Sequence, residues 1–234
     1  MTGKANPVFV ALDTVSVHDA LALTRAVKPF VGGVKVGLEF FSANGPEGVR
    51  AVIATGVPVF LDLKLHDIPN TVVGALKALA PLSPAIINVH ASGGAAMMKA
   101  AAAALGAGPA RPKLIAVTVL TSLEAADLAA MGISGSPIDQ VTRLARLVKE
   151  SGLDGVVCSP QEVQAVRAAC GPGFLIVTPG VRPAGSALGD QRRVMTPAEA
   201  LDAGADLLVI GRPITAARDP AAAARGIAAE LAGV

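Results

Sequence analysis

Short runs rich in Val, Ile, Leu and Phe recur along the chain, separated by longer stretches in which apolar residues return every three or four positions. Eight runs stand out: VFVALD (8–13), VGGVKVGL (31–38), PVFLDLK (58–64), AIINVHAS (85–92), KLIAVTVL (113–120), GVVCSP (155–160), FLIVTPGV (174–181) and LLVIGRP (207–213). They are near-continuously apolar, the pattern of parallel strands covered on both faces. The stretches between them carry helix punctuation. SPQEVQAVRAACG predicts a capping box with Ser159 at N-cap, Pro160 at N1, Glu162 at N3 and Gly171 past the end; TPAEALDAG repeats it with Thr196, Pro197, Glu199 and Gly204. Ile138, Val141, Leu144 and Val148 form one apolar stripe of a further helix, and DPAAAARGIAAEL closes the chain as another. Eight strand–helix units in 234 residues predict an α/β protein, a (β/α)8 TIM barrel forming a single domain over residues 1–234. A doubly wound open sheet is the alternative, but no GxGxxG follows the first run.

Polar residues interrupt the runs, and they do so at one end. Asp13 closes the first run, Lys35 lies late in the second, Asp62 and Lys64 end the third, and His90 lies late in the fourth. Thr121 and Ser122 follow the fifth, Pro179 and Gly180 lie late in the seventh, and Gly211 and Arg212 in the eighth. In a barrel of this kind the carboxyl ends of the strands form the reactive face. Asp62 and Lys64 are two apart, so both project to one side of their strand; Leu61, Leu63 and Leu65 then face the helices and the charged pair faces the barrel axis. Asp67 falls in the turn before the next helix. The plainer alternatives are a buried structural pair for Asp62 with Lys64, another for Asp13 with Lys35, a helix cap for Asp67, helix-entry roles for Thr121 and Ser122, and a hydrogen-bonded core histidine for His90. Buried ion pairs rarely repay their desolvation, and convergence at one mouth favours chemistry. His18 and His66 read as peripheral. The fifth unit is the longest, and its insertion TSLEAADLAAMGISGSP would sit at the same mouth, where it could cover a ligand.

Composition narrows the function. Hydrophobic residues make up 52% and charged residues 16%, as in a compact globular chain. Twenty Lys and Arg against 18 Asp and Glu leave +2, and Trp and Tyr are absent. Neither a basic footprint nor aromatic stacking platforms for nucleic acid can be built from this set. Cys158 and Cys170 lack metal-ligand spacing and read as buried thiols of a reducing compartment. No apolar stretch reaches the ~18 residues of a membrane span, so a cytoplasmic protein is expected.

A phosphate end is also written in the chain. TPGVR and VIGRPIT place Gly180 and Gly211 at the ends of the seventh and eighth runs, where backbone N–H groups can approach an anion and Arg182 or Arg212 can add a planar fork of donors. RPAGSALGDQRR, residues 182–193, reads as a lid over that end, or else as a plain solvated loop.

DLKLHDIPNT resembles the signature of the orotidine 5′-phosphate decarboxylase family. ALD, KVG, NVHASGG, VTVLTS, TPGVRP and VIGRPI extend the resemblance through every unit but the sixth. The resemblance implies decarboxylation of orotidine 5′-phosphate to UMP in pyrimidine biosynthesis, by a homodimer with neither metal nor organic cofactor. It implies that Lys35, Asp62 and Lys64 act in one subunit while Asp67 and Thr71 come from the other. Asp13 and Lys35 would contact the ribose, Thr121 and Ser122 the pyrimidine side, and Arg182, Gln191, Gly211 and Arg212 the phosphate region, with Pro179 also against the substrate. The chemistry suits the residues. Loss of CO2 leaves a carbanion that an adjacent ammonium can stabilise and then protonate, the role given to Lys64. Burial disfavours an ammonium and flanking carboxylates favour it; Asp62 and Asp67 would supply them. Competing readings are a Schiff-base aldolase using Lys64, a metal-dependent sugar-phosphate decarboxylase on the same barrel, and a non-catalytic nucleotide-binding protein.

Overall fold

The computed structural model describes residues 6–183 and 195–232. Eight strands close into a parallel barrel in chain order: β1 (Val8–Ala11), β2 (Gly33–Gly37), β3 (Val59–Leu65), β4 (Ile86–His90), β5 (Lys113–Val117), β6 (Gly155–Val157), β7 (Leu175–Pro179) and β8 (Leu207–Ile210). The ring is completed by β1 against β8, with Phe9 opposite Val209. Around it run α1 (Val17–Val27), α2 (Leu38–Ile53), α3 (Pro69–Leu79), α4 (Gly94–Leu105), α5 (Ala125–Ala130), α6 (Pro137–Glu150), α7 (Val163–Cys170), α8 (Pro197–Asp202), α9 (Arg212–Thr215) and α10 (Pro220–Ala232).

Strand alternation sorts the apolar side chains into two cores. Val10, Leu61, Ile87, Leu114, Val156, Ile176 and Leu208 point outward into the large core shared with the helices. Phe9, Phe60, Ile86, Ile115, Val177 and Val209 point inward and plug the barrel. Each such fully buried side chain is worth roughly 1.5–3 kcal/mol relative to exposure. The plug fills the lower part of the barrel, so the positions above it on β2, β3 and β4 are free to carry polar groups.

The helix starts follow the local chemistry. Thr196 and Glu199 close a full capping box, with the Thr196 N–H to Glu199 Oε2 at 2.8 Å and the Glu199 N–H to Thr196 Oγ1 at 3.3 Å. The Ser159 N–H donates to Glu162 Oε2 at 2.8 Å, but the box opens a single 3-10 turn, Pro160–Glu162, and α7 starts only at Val163. On α6, Val141, Leu144 and Val148 are buried as predicted, while Ile138 in the first turn is exposed. Except for β3, which reaches Leu65, one residue past its run, the strands stop at or before the ends of the apolar runs. β1 ends at Ala11, before Asp13, and β8 ends at Ile210, with Arg212 opening the four-residue α9.

Candidate active site

The inward positions of β1 to β3 carry a line of alternating charge. Asp13, just past β1, lies 3.5 Å from Lys35 Nζ on β2. Lys35 Nζ lies 3.5 Å from Asp62 Oδ2 on β3, and Asp62 Oδ1 accepts from Lys64 Nζ at 2.8 Å. Asp62 and Lys64 do share the inner face, and Leu61, Leu63 and Leu65 pack outward, as the period of two requires. Asp62 is 8% exposed. Burial by itself would raise its pKa; the charges of Lys35 and Lys64 and the hydrogen bonds from Lys64 and Asn88 outweigh that and hold it below the usual carboxylate range. Asp13, by contrast, has a side chain 64% exposed, so its pair with Lys35 is not the buried structural pair weighed as an alternative.

A cavity of about 180 Å3 opens over this line. Lys35, Asp62, Lys64 and Thr121 supply its polar wall, and Val117, Val119, Leu120, Val157 and Val209 its apolar one, with Phe60 at the floor. A second concavity of about 370 Å3 adjoins it, since Lys35, Pro179 and Val209 line both. Its far end holds Asp13, Gly180, Arg182, Gly211 and Arg212. Together they fall within the roughly 300–1,000 Å3 of small-molecule sites. Arg182 is buried, and both burial and the neighbouring charge of Arg212 lower its pKa. Two guanidinium groups facing one cleft form a place for an anion. Gly211 lies on that wall beside Ala11 and Asp13, where a Cβ would make only ordinary contacts, 3.6 Å from the Ala11 Cβ and 3.8 Å from Asp13 Oδ2.

The segment read as a lid leaves the barrel where Val181 bridges to Met195, and the Arg182 N–H donates to Met195 O at 2.9 Å. Gln191 and the rest of that segment through residue 194 lie outside the described residues. The fifth-unit insertion contributes Thr121 to the cavity, next to Leu120 of the preceding run, and forms α5 beyond it. Ser122 is exposed and does not line the cavity.

Asp67 and Thr71 do not join the cluster within this chain. Both are exposed, Asp67 on the turn between β3 and α3 and Thr71 in the first turn of α3, and among the described residues Asp67 Oδ1 accepts the N–H of Ile68, at 2.7 Å. Asp67 is not the side-chain cap of α3 either, because Ile68 holds the N-cap position. It makes no ion pair with any described residue, so the expected second carboxylate does not stand beside Lys64 among the described residues of this chain. His66 and His90 stack with ring centroids 5.3 Å apart. His66 and His18 are exposed, and half-buried His90 accepts from the Ser92 N–H at 3.2 Å. Burial, then the charges of His66 and Lys64, lower the pKa of His90.

One site residue escaped the sequence reading. Asn88, inward on β4 and 0% exposed, donates from Nδ2 to Asp62 Oδ1 at 2.7 Å and accepts the Lys64 N–H on Oδ1 at 2.8 Å. The available signal was an amide in the middle of AIINVHAS, since a polar side chain in a buried strand must find partners.

A further concavity, about 690 Å3, lies at the opposite end, where β4, β5, β7 and β8 begin. Its charges are spent on structure: Lys113 and Arg111 pair with Asp154, and Arg167 pairs with Asp206. Among the described residues no three His, Cys, Asp or Glu side chains converge in a way that could hold a metal. No described helix is long and apolar enough to cross a membrane.

Comparison with known proteins bears on the same cleft. Residues 6–227 match the model of the Orotidine 5′-phosphate decarboxylase / HUMPS family. The chain is 58% identical to the orotidine 5′-phosphate decarboxylase of Rhodospirillum rubrum, over 97% of this chain and 95% of that protein. It is 57% identical to that of Paramagnetospirillum magneticum, over 97% and 98%. Among solved structures it is similar to orotidine 5′-phosphate decarboxylase from Lactobacillus acidophilus, with a TM-score of 0.85 and 41% identity over 96% of this chain and 98% of that one.

Proposed function

Because the chain belongs to the orotidine 5′-phosphate decarboxylase family, we propose that it converts orotidine 5′-phosphate to UMP for pyrimidine nucleotide synthesis, with Lys64 as the acid. The observation that carries this reading is the line Asp13–Lys35–Asp62–Lys64 along the floor of a cleft with two arginines at its far end. The apolar wall of the smaller cavity suits the flat pyrimidine. Lys35 lines both cavities and its partner Asp13 the second, where ribose hydroxyls would meet them. Arg182 and Arg212 suit the phosphate dianion, with Gly211 beside them in the lining.

In this reading the bond between C6 and the carboxylate breaks and its electron pair stays on C6. CO2 leaves, and C6 takes a proton from Lys64 Nζ, which solvent then replaces. Catalysis must supply close to the upper end of ~8–23 kcal/mol. Asp62 beside the substrate carboxylate contributes repulsion of about 4 kcal/mol at ~4 Å and an effective dielectric of ~20. That falls well short, so stabilisation of the carbanion by the Lys64 ammonium is the larger share. Phosphate binding, remote from C6, serves to order the charged line.

The reading includes a homodimer in which Asp67 and Thr71 complete the partner's site. Two observations support it. Asp67 sits at an exposed turn, its carboxylate engaged among the described residues with the Ile68 N–H, beside the Ile68 side chain, a large apolar group 68% exposed. The other large apolar side chains that are exposed among the described residues, Val15, Leu38, Leu120, Met131 and Ile138, all lie in segments that follow β1, β2 or β5 at the same mouth.

The test is to add orotidine 5′-phosphate to chelator-treated protein and follow UMP formation by absorbance. Wild type is expected to turn over, and Lys64→Ala to lose activity by several orders of magnitude while melting as wild type does, since it removes counter-charge and proton donor together. Activity of Lys64→Ala within about tenfold of wild type would overturn Lys64 as the acid.

A further inference from the structure

The ladder between β3 and β4 is broken at the reactive lysine. Leu61 pairs with Ile87 and Leu65 with Val89, so four steps along β3 match two along β4. The excess is taken up at Asp62–Lys64, where Lys64 adopts φ +52°, a left-handed conformation that side chains other than glycine rarely take. A bulge of this kind re-aims a side chain and leaves main-chain groups without ladder partners. Asn88 lies on β4 between the two paired positions. Its Oδ1 takes the stranded Lys64 N–H at 2.8 Å, and its Nδ2 holds Asp62 Oδ1 at 2.7 Å, the same oxygen that receives Lys64 Nζ. The amide orientation is forced, because the opposite one would set NH2 against an N–H and oxygen against a carboxylate.

We infer that Asn88 is a positioning residue for the decarboxylation: one buried amide fixes both the left-handed backbone of Lys64 and the rotation of the Asp62 carboxylate. Asn88 does not line the cavity, so it acts through those two residues and not on the substrate. Other side chains fail for identifiable reasons. Serine cannot span both partners, leucine satisfies neither, and aspartate keeps the acceptor but, when ionised, loses the donor and adds a charge against Asp62. The ionisable groups around the position are Asp62 and Lys64 of β3, Lys35 of β2, and His90 two residues along β4.

The inference rests on the decarboxylase reading, and wild type is therefore assayed beside Asn88→Ala and Asn88→Asp for kcat, KM and thermal melting across pH. Asn88→Ala is expected to lose about tenfold or more in kcat with KM within about threefold, the signature of a misplaced catalytic group and not of lost binding. Asn88→Asp should be poor at neutral and higher pH and recover relative to wild type as the pH is lowered. Its carboxylic acid form restores an acceptor and a donor, and two adjacent carboxyl groups hold one proton more readily than either alone. A merely structural amide would move melting without this change in profile. An active wild type matched by Asn88→Ala in kcat, or an Asn88→Asp profile parallel to wild type, overturns the role of Asn88; if Asn88→Ala does not fold, the Asn88→Asp profile decides alone. An inactive wild type would instead overturn the decarboxylase reading.

Discussion

A carboxylate that is nearly dry and still ionised is the central fact at the residue scale. Asp62 stays charged because two ammonium groups and an amide more than offset its desolvation. In the unfolded chain it would titrate near pH ~3.9. The folded pKa lies below that, so the unfolded state binds a proton more readily in acid. Ionised Asp62 therefore stabilises the fold fully above the unfolded pKa, and this contribution drains away as pH falls through the folded one. Asp62→Asn takes from Lys64 its partner carboxylate and leaves Lys35 only the exposed Asp13, at a cost on the order of 3 kcal/mol at neutral pH. For a chain of this size that is a melting temperature lower by roughly 6–12 °C. Near pH 3 the gap should narrow, because wild type has lost part of what the variant lacks. Thermal melts of both proteins at pH 7 and pH 3 check this; an unchanged gap would mean that the charge of Asp62 is not linked to folding. That Asp62 and Lys64 face inward was legible in FLDLKL, because a period of two needs only local sequence. The left-handed Lys64 and its tie to Asn88 were not, because both arise from the register between β3 and β4, which no single run encodes.

At the scale of elements, the two ends of the barrel divide the work. The carboxyl ends hold the charged line; the amino ends are stitched by two similar devices. Asp154, just before β6, accepts the Leu114 N–H of β5 at 2.7 Å and a bidentate Arg111 at 2.6 and 2.9 Å. Asp206, just before β8, accepts the Ile176 N–H of β7 and Arg167, each at 2.7 Å. Arg167 also donates to the carbonyls of Gly171, Phe174 and Gly204. Residues at this face serve stability. Arg167→Ala strands those acceptors and should lose roughly 2–4 kcal/mol, a melting temperature lower by about 5–15 °C, with kcat/KM within about twofold of wild type. Calorimetry with the UMP assay separates the two; a large catalytic loss at unchanged melting would place Arg167 in the wrong half of the molecule. All eight strands were legible, but their ends were not. Most runs overshoot because residues such as Leu12 and Val119 are as buried as strand residues although they lie past the strand ends: hydrophobicity reports burial, not pairing. The capping boxes were legible for the opposite reason, since their partners lie three residues apart.

At the scale of the whole molecule, the described residues of the chain bring one carboxylate, that of Asp62, to Lys64. Lys64 meets Asp62 within the chain, while Asp67, three residues on, faces solvent with the exposed Ile68 and Thr71. If Asp67 completes the partner's site, Lys64→Ala and Asp67→Ala homodimers should each be very weak, and mixing them should restore activity. In a mixed dimer one site carries both substitutions and the other neither. Random exchange of equal amounts makes about half the dimers mixed, each with one intact site of two, so about a quarter of wild-type activity should return. A turn carboxylate that serves only its own loop gives no rescue, because every Asp67→Ala chain would be defective whatever its partner. The measurement needs an independent readout of exchange, such as mass-tagged subunits followed by native mass spectrometry. Demonstrated exchange with activity no higher than the parents' would show that each subunit carries its own complete site, and the exposed turn of Asp67 would then need another occupant.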